Sequence, residues 1–240
     1  MTKIKLIDVS EKLVLAWKES FKNYPDVEII HDSILKHPCD AIISPSNSFG
    51  IMQGGIDLIY ANYFGVTLQD NLQDKICKMH NGELLVGETI IMETYNNIFP
   101  YLISAPTMRI PGSRLIGTPN VYLAAKAIFI ILKNNLNITS VAIPGLGTGT
   151  GAVSPEECAR LMRMAYEDWY LGEALTNGVN NPQSLDDVFS MCNNQAVKQK
   201  PLVSAITGQV IPGLSGVVGK NGPGTCPTGQ RDVNDFNQSA

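Results

Sequence analysis

The chain has 240 residues, of which 44% are hydrophobic and 17% are charged, and its formal net charge is −4 at pH 7. This length and composition predict a soluble α/β domain with an appendage, and the lack of a Lys and Arg cluster argues against a nucleic-acid partner. The five cysteines include no CxxC pair, so we predict neither a metal site nor a disulfide framework. The sequence has no apolar run of membrane-spanning length and no signal-peptide core at the start. We therefore predict a cytoplasmic protein with no membrane partner.

Short apolar runs alternate with segments of helical periodicity along residues 1–171. Strands are predicted at residues 4–9, 26–30, 40–44, 89–92, 101–104 and 141–143. Helices are predicted to begin near Ser10, Gly54, Thr67, Thr118 and Ser154, and the last of them reaches about Leu171. One face of the third helix carries Leu68, Leu72, Ile76 and Met79. This alternation predicts a three-layer α/β/α sandwich with a mixed, largely parallel sheet.

The composition changes beyond residue 171. Residues 201–240 contain seven glycines, four prolines and only four charged residues. We therefore predict a C-terminal extension over residues 172–240, with a helix at 184–198 followed by an irregular Gly- and Pro-rich tail. The apolar segment 203–211 is suited to a partner-binding strand, so a protein partner through this tail is the alternative to simple disorder.

The most informative stretch is residues 141–157, which combines a short strand, a glycine-rich loop and a helix start. Ser154 is placed as the N-cap, Pro155 at the first helical position and Glu157 three residues after the cap, which is the pattern of a capping box. Glycines let the backbone approach a ligand and turn several N–H groups the same way, and the helix N-terminus adds positive potential. The pattern predicts an anion site, with a flexible turn as the alternative; the four alternate glycines are Gly145, Gly147, Gly149 and Gly151.

Two better-known phosphate-binding loops fit this stretch less well. It contains no Gly-Lys-Ser/Thr, so it is not the P-loop of nucleoside triphosphatases. Residues 147–152 fit the loose form of the dinucleotide fingerprint, but that fingerprint usually opens a domain, whereas most of the sheet precedes it here. A nicotinamide-dinucleotide oxidoreductase is therefore kept only as a third alternative.

Polar side chains follow the second and third predicted strands. Asp32 directly follows the second strand, and Asn47 lies in the Ser-Pro-Ser-Asn loop after the third. Gly54 and Gly55 are followed by the carboxylate of Asp57 at a helix start. Because ligands of parallel sheets lie outside the carboxyl ends of the strands, we expect these groups to share one crevice with the glycine-rich loop.

This ordered set of motifs resembles the macro domain, an ADP-ribose-binding α/β/α module. The resemblance covers roughly residues 25–170 and is carried by Asp32, residues 40–47, residues 54–57 and residues 144–151. It implies that Asp32 accepts a hydrogen bond from the adenine amino group and that Asn47 holds a hydroxyl of the distal ribose. It further implies a ligand-binding set of Ser46, Gly54, Gly55 and Ile56 near the pyrophosphate and distal ribose, and of Gly145, Gly147, Thr148, Gly149, Thr150 and Gly151 around the diphosphate.

The resemblance also implies chemistry, with Asp57 and Asn47 as the catalytic residues. The family's usual Asn-Ala-Ala-Asn is Ser44-Pro-Ser-Asn47 here, and its three-glycine run is Gly54-Gly55. The implied function is hydrolysis, without a cofactor, of an ADP-ribosyl ester on a protein, O-acetyl-ADP-ribose or ADP-ribose 1″-phosphate. The alternative is a non-catalytic reader of free or protein-linked ADP-ribose, because Asp57 would also be favourable from the helix dipole alone and Asn47 could form an Asx-turn.

Overall fold

A computed structural model describes residues 2–65 and 67–172 of the chain. The strands within this part are β1 (Lys3–Asp8), β2 (Val27–His31), β3 (Ala41–Ser44), β4 (Ile90–Glu93), β5 (Tyr101–Ser104) and β6 (Ser140–Ile143). The α-helices are α1 (Glu11–Ser20), α2 (Gly55–Phe64), α3 (Thr67–His80), α4 (Asn120–Asn134) and α5 (Pro155–Ala165), and a π-helical segment (Tyr166–Leu171) continues α5. The predicted helix at 184–198, the tail and its segment 203–211 lie outside the described residues. Within the described ranges, no helix is both long and apolar enough to cross a membrane.

The six strands form one sheet in the order β2-β1-β6-β3-β5-β4. All neighbouring strands are parallel except β4 and β5, which are antiparallel. This arrangement confirms the predicted mixed, largely parallel sheet. Because β1, β6, β3 and β5 run in the same direction, the loops that follow them meet at one edge of the sheet, where parallel sheets bind their ligands.

Helices cover both faces of the sheet and bury two hydrophobic clusters. The first cluster lies under α1, α4 and α5 and includes Trp17, Phe129 and Tyr166, and the second lies under α2 and α3 and includes Tyr60 and Leu72. Strand residues alternate between the two clusters, as the two-residue period of a β-strand requires. The structure is therefore a three-layer α/β/α sandwich, as the alternation of elements predicts.

One predicted core residue is exposed. Leu68, Leu72 and Ile76 are buried on the inner face of α3, but the side chain of Met79 is 63% exposed. α3 ends one residue after Met79, and Asn81 then turns the chain with a φ of 53°. Met79 therefore lies in the last turn of α3, where its side chain is exposed to solvent.

The predicted capping box at the start of α5 is half formed. The Oγ atom of Ser154 accepts a hydrogen bond from the backbone N–H of Glu157 at 3.2 Å, and Pro155 occupies the first turn. The carboxylate of Glu157 instead accepts hydrogen bonds from Nε and Nη2 of Arg160, at 2.7 and 2.6 Å. A bidentate pair with a cation is stronger than a bond to one backbone N–H, so the reciprocal half of the box is not made.

Candidate functional site

A cavity of about 650 Å³ lies at the carboxyl ends of the central strands. Its walls are built from the segments that follow β1, β3, β5 and β6, together with the N-terminal turn of α2. All but one of the predicted site residues line this single cavity: Ser46, Asn47, Gly54, Gly55, Ile56, Asp57, Gly145, Gly147, Thr148, Gly149, Thr150 and Gly151. The expected crevice is thus present, while the role of each residue toward a ligand stays a prediction.

Asp32 is the exception, because it does not line the cavity. It follows β2, the strand at the outer edge of the sheet, and β1 separates β2 from the other strands. Its carboxylate accepts hydrogen bonds from Nζ of Lys36 at 2.8 Å and from the backbone N–H of Ser33 at 2.7 Å, and it lies 3.2 Å from Nε2 of His37. The bonds from Lys36 and Ser33 lower the pKa of Asp32 to about 2. Asp32 does not line this cavity, and the adenine contact implied for it stays a prediction.

Asp8 is the carboxylate that lines the cavity on this side, and the sequence analysis missed it. Its Oδ1 atom accepts a hydrogen bond from the backbone N–H of Ser10 at 2.8 Å, and its Oδ2 atom accepts one from that of Gly145 at 3.1 Å. Asp8 therefore ties the end of β1 to the glycine-rich loop. The sequence does contain a signal for Asp8, because a carboxylate at the end of a parallel strand is placed like Asp32, which follows one. The predicted strand extends to Val9, however, and so places Asp8 inside the strand.

The glycine-rich loop lines the cavity, and several of its backbone N–H groups have no acceptor in the described part of the chain. Acceptors within the described part of the chain are found for the N–H groups of Gly145 and Ala152, but not for those from Gly147 to Gly151. Two backbone carbonyls of the loop accept hydrogen bonds and fix its shape. The carbonyl of Gly147 accepts from the N–H of Val153 at 3.1 Å, and that of Gly151 accepts from the N–H of Leu115 at 2.8 Å. Unpaired N–H groups beside the N-terminus of α5 form a site suited to an anion.

Asn47 closes the loop that follows β3. Its Oδ1 atom accepts hydrogen bonds from the backbone N–H groups of Phe49 and Ile51, each at 3.2 Å, and its Nδ2 atom donates to the carbonyl of Ile51 at 2.7 Å. These contacts are those of an Asx-type turn. Asn47 thus shapes one wall of the cavity through its loop.

Asp57 lies in the first turn of α2 and is only 7% exposed. The Oγ atom of Ser44 donates a hydrogen bond to its Oδ1 atom at 2.7 Å. Burial raises the pKa of Asp57 to about 6, and the bond from Ser44 acts in the opposite direction. A cavity-lining carboxyl group with this pKa can take up a proton near neutral pH, which is the property of a general base.

Because the pKa of Asp57 is raised in the folded protein, we predict that its ionisation lowers the free energy of unfolding above pH 6. Between its ordinary pKa of 3.8 and about 6, the folded protein keeps a proton that the unfolded chain has lost, so the free energy of unfolding falls as the pH rises. We expect Asp57→Asn to stabilise the fold by on the order of 2 kcal/mol at pH 7.5 and by much less at pH 4. Urea unfolding of both proteins at the two pH values measures this difference, and an equal effect at both would contradict the raised pKa.

A macro domain model matches residues 43–162, which is half of the chain. The chain therefore belongs to the macro domain family, as the resemblance implied. The match begins within β3, so β1, α1 and β2 lie outside it, although Asp8, Val9, Ser10 and Leu13 line the cavity.

Individual relatives are distant. An uncharacterized protein of Aquifex aeolicus is 28% identical over 57% of this chain and 78% of its own length. The DNA ADP-ribosyl glycohydrolase of Mycobacterium tuberculosis is 29% identical over 56% of this chain, but the match spans only 37% of that protein. Among solved structures, the macrodomain of Mycobacterium tuberculosis DarG superposes with a TM-score of 0.50 and 22% identity, over 57% of this chain and 87% of that chain, which is a likeness of fold.

Proposed function

We propose that this chain binds ADP-ribose in the 650 Å³ cavity and hydrolyses an ADP-ribosyl linkage there. Membership of the macro domain family and the glycohydrolase name of one relative support this proposal. The observation that carries the hydrolytic step is the buried carboxyl group of Asp57, which lines the cavity beside the predicted ligand loops. The substrate would be an ADP-ribosyl ester on a protein, O-acetyl-ADP-ribose or ADP-ribose 1″-phosphate.

The charges and N–H groups of the cavity suggest how the ligand lies. The diphosphate would bind the N–H groups between Gly147 and Gly151, near the N-terminus of α5. The carboxylate of Asp8 would repel a phosphate but accept a hydrogen bond from an amino group, so the adenine end would lie on its side of the cavity. The distal ribose would then reach the loop of Asn47 and the first turn of α2, beside Asp57.

In this orientation Asp57 would act as a general base. In a substrate linked through the anomeric carbon of the distal ribose, the Asp57 carboxylate takes a proton from a water molecule while the oxygen of that water bonds to this carbon. In an acyl ester of a ribose hydroxyl, such as O-acetyl-ADP-ribose, the oxygen of the water bonds to the carbonyl carbon of the acyl group instead. The bond between the attacked carbon and the leaving oxygen breaks, its electron pair stays on that oxygen, and the oxygen gains a proton from solvent. The loops contribute by holding the diphosphate and ribose still during the attack.

A non-catalytic reader remains the second candidate. The observation that favours it is the side chain of Asn47, whose three hydrogen bonds all stay within its own loop. A side chain engaged in this way supports the shape of a binding pocket, and the geometry gives it no bond toward a reacting group. The reader would bind ADP-ribose in the same cavity without turning over any of its derivatives.

We expect calorimetric titration to show micromolar binding of ADP-ribose, which corresponds to about −8 kcal/mol. Asp8→Asn should weaken binding by about tenfold, because an amide cannot accept the bonds of Ser10, Gly145 and a base amino group together. Asp32→Asn is the matched control, with a carboxylate that lies after a strand but outside the cavity.

The titrations also separate the two carboxylates. Weakening by Asp32→Asn and not by Asp8→Asn would support the adenine contact that the resemblance implies for Asp32. Absence of ADP-ribose binding by the unmodified protein would refute the proposed function itself. Unfolding temperatures of both variants, measured beside the titrations, show whether a loss of binding reflects a loss of folded protein.

A further inference from the structure

We infer that Ser44 is a positioning residue for Asp57, whose carboxylate it orients and keeps ionised. This inference rests on the proposed function, in which Asp57 is the general base. It concerns the residue that stands where the macro domain family usually has the first asparagine of its Asn-Ala-Ala-Asn motif. Ser44 lies at the end of β3, and its hydroxyl connects that strand to the carboxylate in the cavity.

The backbone at Ser44 is held in place by the sheet. Ser44 is the last residue of β3 and is fully buried. It lies opposite Ser104 of the parallel strand β5, and its carbonyl accepts a hydrogen bond from the N–H of Ala105 at 2.9 Å. β3 is also paired with β6 on its other side, through Ala41 and Ile42. A hydroxyl carried by this strand has little freedom to move.

The hydroxyl acts on the cavity only through Asp57. Its Oγ atom donates to Oδ1 of Asp57 at 2.7 Å, and Ser44 itself does not line the cavity, whereas Asp57 does. The bond therefore approaches the carboxylate from the side of the sheet and restricts its rotation. Oδ2 is left for a proton from the cavity, since in the described part of the chain Ser44 is the donor found for this carboxylate.

The other titratable groups near Asp57 do not replace this bond. Tyr60 lies one turn further along α2, and its hydroxyl donates to the carbonyl of Ile43 at 3.2 Å. Burial raises the pKa of Tyr60 well above its ordinary value, so the phenol stays neutral. Cys39 is a buried thiol whose pKa is raised to about 11 by burial, and Asp8 is a second carboxyl group that lines the cavity. None of these groups stabilises the ionised form of Asp57.

Removing the Ser44 hydroxyl should make the carboxylate of Asp57 harder to ionise. A buried carboxylate that loses a hydrogen-bond donor holds its proton to a higher pH. We expect Ser44→Ala to raise the acid limb of the pH profile of kcat/KM by about one pH unit, which is a tenfold change in proton affinity. Ser44→Thr keeps a hydroxyl on the same strand and should return the limb to its original position.

Ser104→Ala is the matched control for this experiment. Ser104 is equally buried and lies opposite Ser44, but its hydroxyl bonds to Oγ of Ser46 at 2.7 Å and not to Asp57. A purely structural effect of losing a buried hydroxyl would be shared by both alanine variants. The acid limb should stay in place in Ser104→Ala, and an equal shift in both variants would overturn the positioning role.

A second experiment measures the pKa of Asp57 directly and does not depend on enzymatic turnover. Titration of the Asp57 side chain by carbon-13 NMR, assigned by its loss in Asp57→Asn, gives its pKa in the unmodified protein and in each variant. A higher pKa in Ser44→Ala, with none in Ser104→Ala, would support the inference, and an unchanged pKa would overturn it. If Ser44→Ala does not fold, Ser44→Cys, which retains only a weak donor, takes its place. Failure of the unmodified protein to turn over any ADP-ribose derivative would refute the proposed hydrolysis. The NMR titration would still show whether Ser44 lowers the pKa of Asp57, so the two failures can be distinguished.

Discussion

Replacing Asp57 by Asn is expected to lower the rate of ADP-ribose release by about 100-fold or more. The amide has nearly the same shape and can still accept the bond from Ser44, but it cannot take a proton from water. The affinity for ADP-ribose should change little, because the diphosphate is proposed to bind the glycine-rich loop. Chromatographic detection of ADP-ribose released from O-acetyl-ADP-ribose and from an ADP-ribosylated protein measures the rate.

The control for this prediction is Asp74→Asn. Asp74 is an exposed carboxylate on α3 that pairs with Lys78 and does not line the cavity. Its loss should leave both the rate and the affinity unchanged, since exposed ion pairs contribute little to stability. An unmodified protein that binds ADP-ribose but releases none would identify a reader. Full activity in Asp57→Asn would require a base other than Asp57.

A second large effect is expected from Gly151→Ala. The added Cβ atom would lie 2.5 Å from the carbonyl oxygen of Gly147 and 2.8 Å from Cδ1 of Leu115, closer than non-bonded atoms approach. Because one of these contacts is with backbone, relief requires the loop to move, and we expect a loss of about 1–3 kcal/mol in the free energy of unfolding. Denaturant unfolding in urea measures this loss.

Gly149 provides the matched control in the same loop. A Cβ atom at this position would meet no heavy atom within 4 Å, and the residue does not have a positive φ. Gly149→Ala should therefore unfold at the same urea concentration as the unmodified protein. Equal midpoints for the two variants would show that the loop relaxes freely around Gly151, and the close packing of its carbonyls would then contribute nothing to stability.

The location of the crevice was predictable from the sequence, but its exact membership was not. The sequence of a strand, a glycine-rich loop and a capped helix predicts the loop around Gly147. Because ligands of parallel sheets lie outside the carboxyl ends of the strands, this loop was expected to lie beside the segment before Asp57. The order of the strands decides which carboxylate faces the cavity, and this order depends on pairing between distant residues. Since β1 lies between β2 and β6, Asp8 lines the cavity and Asp32 does not.

Side-chain partners were the least predictable feature. The sequence shows Ser44 only as a departure from a family motif, whereas its bond to Asp57 joins a strand to a helix thirteen positions later. At the start of α5, Ser154 caps the helix as predicted, but Arg160 competes for Glu157. The spacing of Glu157 and Arg160 allows a pair on one helix, but it does not decide between this pair and the capping box. The bond from Ser44 depends on which elements the folded chain brings together, and the pattern of residues along the chain does not contain that information.

The position of β1 between β2 and β6 has a consequence for synthesis on the ribosome. β1 pairs with β6, and Lys3 lies opposite Ser140, so one edge of the first strand has no partner until that residue emerges. At about 5–20 residues per second, this wait is roughly 7–27 s. The end of the described chain then joins its beginning, since the Tyr170 hydroxyl accepts from the N–H of Thr2 at 3.0 Å and donates to its carbonyl at 3.1 Å. The nascent chain builds the Asp8 wall of the cavity first and the glycine-rich wall last, so ADP-ribose cannot assist folding until both have been translated.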